Sequence, residues 1–325
     1  MIAGGLTSRL PPRSDVGPVL AFDVGGTDIK SGLVLPGGDI VALRRTPTPK
    51  SPMMPEQEVV DVLARLKDEY VRDLPSATPH AIGLSIPGIV DEVSGIGIFS
   101  ANLGWRDAPI LELARSRLGL PVALGHDVHS AALAEFRHGA ATGYNDVAFV
   151  VIGTGLSAAF VLDGRLYHGR GLVGELGHIE IEAGGDECSC GARGCLETIA
   201  SATAIARRYE GRSGATLGAG GARSVVERAI GGDPIAQAVW GDATEALATG
   251  LAHVVSLLAP ELIVLGGGLS GAGRELVDPV ARVLDKRLAF QARPMIALSK
   301  FGGEAGLLGA ALRAQELLAN GASEL

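Results

Sequence analysis

One pattern occurs twice in this chain and limits what it can fold into: an apolar strand runs into a glycine turn and further strands follow. The first copy opens with V-L-A-F-D-V-G-G from Val19, and K-S-G-L-V-L and I-V-A-L-R-R-T continue it around P-G-G-D as a β-meander. The second opens with D-V-A-F-V-V-I-G-T-G from Asp146, and A-A-F-V-L-D-G-R-L-Y-H-G continues it as two strands around an Asp-Gly turn. A-I-G-L-S-I from Ala81, V-A-L-G from Val122 and E-L-I-V-L from Glu261 read as later strands. Val59, Val62, Leu63, Leu66 and Tyr70 recur at helical spacing within 55–74. Further helices are expected over 197–209, 224–230, 234–258 and about 303–318, with a surface loop over 211–222. Two similar halves in 325 residues predict an α/β protein of two domains.

Charge and cysteine usage narrow the function. A formal net charge of -8 disfavours nucleic acid as a partner, because phosphate backbones select basic surfaces. It does not disfavour a small anion, which a nest of backbone N–H groups can hold. The N-terminus has no long apolar run and does not read as a secretory signal. The apolar stretch from Leu251 to Leu265 is broken by His253, Pro260 and Glu261, so no membrane span is expected. Residues 1–17 are rich in Gly, Pro, Arg and Ser and are expected to form a disordered tail. Cys188, Cys190 and Cys195 fall within eight positions. An odd number so crowded makes a poor disulfide framework and suits metal ligation in a reducing compartment, so a cytoplasmic location is expected.

Three glycine clusters can approach a nucleotide. In D-V-G-G-T-D-I-K, Gly25 and Gly26 free backbone N–H groups to face outward, and Thr27 adds a hydroxyl donor. Asp23 can orient Mg²⁺ through water, and Lys30 completes the segment. A plain hairpin turn explains the same residues. The segment is no Walker A loop, because Lys30 lies three residues past Thr27 and a strand follows. Gly153, Thr154 and Gly155 occupy the equivalent place in the second half. Gly266, Gly267 and Gly268 end the late strand, where a flat base can lie against the backbone. Asp127, where V-A-L-G-H passes into a helical pattern, suits either a helix cap or a general base that takes a proton from an attacking hydroxyl.

The strongest local motif is G-E-L-G-H followed by C-S-C-G-A-R-G-C-L-E. His178, Cys188, Cys190 and Cys195 form a Cys₃His set that suits tetrahedral Zn²⁺. Four protein ligands would leave no open position, so the ion would be structural. Such an ion would hold Glu175 and Glu197 close together as candidate ligands for hydroxyl groups.

In sequence order, D-V-G-G-T-D-I-K, S-I-P-G-I-V-D, N-L-G-W, H-D-V-H-S-A-A-L-A-E, G-T-G, G-x-x-G-E-L-G-H, C-x-C-G-x-x-G-C-L-E and L-G-G-G resemble the motifs of ROK family sugar kinases, from about residue 19 to 313. The resemblance implies an actin-like (ribonuclease H-like) two-domain ATPase fold, with a cleft that closes over ATP and a sugar. On that basis the smaller domain is expected over 18–125 plus about 304–325, and the larger, zinc-bearing domain over 126–303. It also implies Asp127 as base and contacts to sugar hydroxyls from Asn102, Glu175, His178 and Glu197. A homodimer or homotetramer that binds sugar and ATP, and neither nucleic acid nor membrane, is expected. The implied reaction converts a hexose, glucose first, into its 6-phosphate. Kinases for another hexose or an N-acetylated hexosamine, and a non-catalytic sugar sensor, are the alternatives. The family's repressors carry an N-terminal helix-turn-helix domain, for which the residues before Asp23 leave no room. Polyphosphate-using relatives generally lack the cysteine motif.

Two departures stand out. The family usually has a sugar-binding Asn where this chain has His126. The second glycine turn usually continues with glycines but here reads L-S-A-A. A neutral imidazole still offers one donor and one acceptor, as an amide does.

Overall fold

The computed structural model describes residues 10–11, 16–51 and 53–321, and in it the repeated pattern becomes two five-stranded sheets of one strand order. The described chain divides into two units. The first comprises the residues up to 138, 168–172 and those from 304 on, and the second comprises 139–167 and 173–303.

In the first unit, β1 (Val19–Val24), β2 (Asp28–Val34) and β3 (Ile40–Pro47) form an antiparallel meander. Helix α1 (Pro55–Asp73) follows, with Pro55 opening it, and then β4 (Ala81–Ile86) pairs parallel to β1. A small antiparallel sheet of β5 (Ile89–Asp91), β6 (Ile96–Phe99) and β7 (Arg106–Ala108) precedes α2 (Ile110–Leu118). Strand β8 (Val122–His126) then pairs parallel to β4 and passes directly into α3 (Asp127–His138). The main sheet runs β3-β2-β1-β4-β8. Strand β4 is buried at every position, Ser85 included, as expected of a largely apolar strand covered on both faces.

The second unit repeats this order. Strands β9 (Val147–Ile152), β10 (Leu156–Leu162) and β11 (Arg165–Tyr167) form the meander. Asp163 and Gly164 both take positive φ in its tight turn, as a two-residue hairpin demands. Helices α4 (Glu197–Ala200), α5 (Ala202–Ser213), α6 (Gly221–Ile230) and α7 (Pro234–Leu258) follow. After them come β12 (Leu262–Gly266), α8 (Arg274–Arg287) and β13 (Met295–Leu298), and the sheet reads β11-β10-β9-β12-β13. Helix α7 has the predicted limits because both ends carry explicit signals. Asp233 caps the N–H groups of Ile235 and Ala236 ahead of Pro234, and Ala259 turns left-handed before Pro260.

Some details differ from expectation. The helix expected over 197–209 breaks at Ser201, whose extended backbone lets its hydroxyl accept the Ala204 N–H. The loop expected over 211–222 is shorter, since α5 continues to Ser213 and α6 starts at Gly221. Most of the tail expected over 1–17 lies outside the described residues. Within it, Leu10 and Val16 are buried, and the Leu10 N–H donates to the Gly38 carbonyl at 3.1 Å. The expected boundary at 125/126 is also displaced. Helix α3 belongs to the first unit because it continues β8 and packs on the C-terminal helix, Ala305–Gly321. Among the described residues no helix is long and apolar enough to cross a membrane.

That C-terminal helix approaches its neighbours through glycines. A Cβ on Gly309 would lie 1.8 Å from the Ser130 carbonyl oxygen of α3, and one on Gly83 of β4 would lie 1.8 Å from the Ala310 carbonyl oxygen. Alanine is the better helix former by about 1 kcal/mol, but overpacking against backbone costs about 1–3 kcal/mol or more. Gly309→Ala is therefore expected to lower the urea unfolding midpoint. Gly241→Ala, in α7 where nothing lies within 4 Å of the added carbon, is expected to raise it slightly.

Candidate active site

The first glycine turn is braced from β3 onward. The Gly25 N–H donates to the Asp28 carbonyl at 2.9 Å. The Thr48 hydroxyl donates to the Gly25 carbonyl at 2.7 Å, and the Thr48 N–H to that of Thr27 at 2.8 Å. The Asn102 side chain lies beside the turn, its Cβ 3.3 Å from where a Cβ on Gly26 would stand. Asp23, at the end of β1, pairs with Lys30 across the meander at 3.0 Å. A Cβ on Gly306 of the C-terminal helix would fall 2.9 Å from all three carboxyl atoms of Asp23. Burial pushes the Asp23 carboxyl above its ordinary range; Lys30 opposes this and the nearby charge of Asp127 reinforces it. A cation at Asp23 would meet two carboxylates in electrostatic reach of each other.

Asp127 is the first residue of α3 and is 34 % exposed at its side chain. Its Oδ1 accepts the Val128 N–H at 2.7 Å and lies 3.0 Å from Nε2 of His126. Among the described residues Oδ2 has no hydrogen-bond partner, which leaves one carboxylate oxygen for a proton. A helix cap would instead reach the N–H groups two or three residues on.

In the second unit, the Gly153 N–H donates to the Gly155 carbonyl, and the Ala202 N–H to that of Gly153, both at 2.9 Å. Glu197 of α4 holds the same turn: its Oε2 accepts the Leu156 N–H at 2.8 Å and would stand 2.6 Å from a Cβ on Gly155. Thr154 sits exposed between the two glycines. Gly266 lies against Phe149. Gly267, at φ +80°, lies so close to the Ile152 carbonyl that no side chain fits. Gly268 lines a cavity of about 560 Å³ with Gly220, Arg223, Glu227 and Leu269. Its lining mixes backbone, apolar and charged groups, as small-ligand sites do.

The Cys₃His set converges. His178 Nδ1 lies 3.5 Å from the Cys188 sulfur, the Cys190 and Cys195 sulfurs are 3.7 Å apart, and all four ligand atoms lie within 4.8 Å of one another. A tetrahedron with Zn–S of about 2.3 Å and Zn–N of about 2.05 Å has S–S edges of about 3.8 Å and S–N edges of about 3.5 Å. The two measured edges match, so the set is compatible with a tetrahedral ion. Gly191 and Gly194 take positive φ and turn the chain between the ligands. Burial and the other two sulfurs push the Cys195 thiol up to about 12, whereas the backbone N–H of Ala192 lowers that of Cys190. With Nδ1 turned to the sulfurs, His178 presents Nε2 to Glu175, 3.7 Å from its Oε2. One imidazole can therefore serve the metal and a hydroxyl group at once.

Each unit thus brings together most of the residues singled out within it. Lys30 and Glu197 are engaged by protein partners, Asp23 and the Leu156 N–H. Thr48 was not foreseen, because its segment T-P-T-P-K carries no periodic signal. Glu92, His129, His168 and Arg313 gather behind Asp127 from four distant stretches, with no local motif to connect them.

The sequence model of the ROK family matches residues 19–316. A glucokinase from Streptomyces coelicolor is 31 % identical over 93 % of this chain and 98 % of that protein. An N-acetyl-D-glucosamine kinase from Mannheimia succiniciproducens is 30 % identical over 89 % of this chain and 97 % of that protein. Among solved structures, a ROK family glucokinase from Streptomyces griseus in complex with glucose and AMPPNP superposes with a TM-score of 0.80 at 30 % identity, over 92 % of this chain and all of that one.

Proposed function

The chain belongs to the ROK family and is an ATP-dependent hexose kinase, and on that premise we propose that it converts glucose to glucose 6-phosphate with Asp127 as general base. The observation that carries this reading is the gathering in one unit of Asp127, with an unengaged carboxylate oxygen, Asp23 within reach of its charge, and Asn102 against Gly26 of the first turn.

The turns of Gly25, Gly26 and Thr27, with Lys30, and of Gly153, Thr154 and Gly155 hold the ATP phosphates, through donors other than the Gly25 and Gly153 N–H groups, which close the turns themselves. The base rests in the cavity beside Gly266, Gly267 and Gly268. Asp23 orients Mg²⁺, which when bound neutralises the β- and γ-phosphate oxygens. Asn102, His126, Asp127, Glu175, His178 and Glu197 receive the sugar, Glu197 through its Oε1 because Oε2 is taken by Leu156. As the sugar 6-hydroxyl oxygen attacks the γ-phosphorus, Asp127 accepts its proton, the bond to the β-phosphate oxygen breaks, and ADP leaves. His126, 3.0 Å from Oδ1 of Asp127, orients the carboxylate. His178, Cys188, Cys190 and Cys195 hold a structural Zn²⁺ that orients His178 beside Glu175.

Glucose is the expected substrate because N-L-G-W and both glutamates accompany the base, and because two of the relatives are glucokinases. An ATP-dependent turnover panel over glucose, mannose, fructose and N-acetylated hexosamines should give glucose the highest kcat/KM; an N-acetylated hexosamine in first place would reassign the substrate. Asp127→Asn keeps the shape but removes the proton acceptor, so kcat should fall by about 10²–10⁴-fold while sugar and ATP still bind. A fall below tenfold would make Asp127 a structural residue. Elemental analysis should find about one zinc per chain, and Cys190→Ala should lower melting temperature and sugar affinity together. A metal-free preparation with unchanged melting and full activity would exclude a structural zinc.

A further inference from the structure

Behind the base lies a group of titratable side chains that the proposed reaction does not touch. Glu92 follows β5, and its carboxylate is 9 % exposed. Five nitrogens converge on it. Oε1 accepts the backbone N–H of His126 at 2.9 Å, faces Nδ1 of His129 at 2.9 Å and accepts Nη2 of Arg313 at 3.2 Å. Oε2 accepts Nη1 of Arg313 at 2.8 Å and faces Nδ1 of His168 at 3.3 Å. Burial alone would raise the Glu92 carboxyl, but His129, His168 and Arg313 outweigh it and hold the group far below the usual carboxylate range. Glu92 is therefore an anion that only accepts, and it directs the Nδ1 proton of His129 toward itself.

From Glu92 two routes lead to Asp127. One is the peptide N–H of His126, the last residue of β8, which ties the strand end just before the base. The other passes through rings. The His129 imidazole, fixed at Nδ1, stands edge-on to the His126 ring at 4.9 Å between centroids and 84° between planes. His126 Nε2 in turn lies 3.0 Å from Oδ1 of Asp127. We infer that Glu92 is a positioning residue for the phosphoryl-transfer base: it fixes the β8–α3 junction and the imidazole against which the Asp127 carboxylate is oriented. This rests on Asp127 being the base.

Glu92, His129 and His168 are also close enough together to suggest a metal site. Two observations weigh against one. Both oxygens of Glu92 are engaged by the Arg313 guanidinium, a fixed cation. A metal on Nδ1 of His129 would also drive the ring proton to Nε2, which is buried and has no partner among the described residues.

The test is a double-mutant cycle on the full-length protein with ATP and the best sugar of the panel. Glu92→Gln keeps the shape but turns an amide N–H₂ toward donors. Misplacement of a reacting group by about 1 Å costs about 10²-fold. Glu92→Gln should therefore lower kcat about 10–10²-fold with KM for ATP within about twofold, and should cost less than about threefold once Asp127 is already Asn. Unchanged kcat, or losses that multiply in the double variant, would overturn the proposal. Multiplied losses would mean that Glu92 acts on stability or binding independently of the base. Should Glu92→Gln fail to fold, His129→Asn, which removes the ring backing His126, is carried through the same cycle with the same two outcomes. A fall below tenfold in Asp127→Asn alone would remove the base assignment and this proposal with it, which sets that failure apart from multiplied losses. Equilibrium dialysis with Zn²⁺ supplies the last outcome: a second bound ion per chain, lost in Glu92→Gln, would replace positioning with metal binding.

Discussion

The backbone of the C-terminal helix lies against its neighbours at distances that no Cβ would permit, and much of the first unit depends on that contact. Gly306 makes room for the Asp23 carboxyl, Gly309 meets the carbonyl of Ser130 in α3, and Ala310 meets Gly83 in the centre of the sheet. One turn further, Arg313 reaches Glu92. A single helix therefore sets the end of β1, the start of α3 and the buried anion behind Asp127. Close backbone packing of this kind is stiff, because interiors are packed as densely as organic crystals and displacements cannot be absorbed locally. The carboxylates of Asp23 and Asp127 inherit that stiffness without being on the helix themselves.

The zinc motif of the second unit follows a different logic. Its four candidate donors come from short turns, with Cys188 and Cys195 buried and Cys190 exposed. With the proposed zinc bound, coordination would fix them, and the imidazole of His178 would carry that order outward through its second nitrogen to Glu175. Two means of holding a polar group thus coexist in one chain, close packing in the first unit and a set of metal donors in the second.

How far the sequence could be read depended on whether a signal was local. Strands β1, β4, β9 and β12 and helix α7 announce themselves through largely apolar runs, caps and prolines, and the doubled meander makes the shared strand order foreseeable. The short strands β5 to β7 do not: three or four residues are too few for a period, and their pairing depends on turns at Gly95 and Gly104. At the candidate site, the glycine turns, the strand-to-helix position of Asp127 and the convergence of the three cysteines with His178 were legible because each lies in a compact motif. The engagement of Glu197 with Leu156, 41 positions away, and the group around Glu92, whose Arg313 is 221 positions away, were not. Contacts at such separation leave no trace in composition or period.

The discontinuity of the first unit has a consequence for the order in which the chain can fold as it is made. The second unit is nearly continuous, from 139 to 303 with only 168–172 excluded, so its core can close as soon as it has emerged. The first unit begins earlier yet must wait, since the helix that covers Gly83 and seats Asp23 is translated after the second unit. Domains usually mature from the N-terminus during synthesis. Here the earlier half is the later to finish, and until the ribosome has delivered the helix of 305–321, strand β4 lacks that cover.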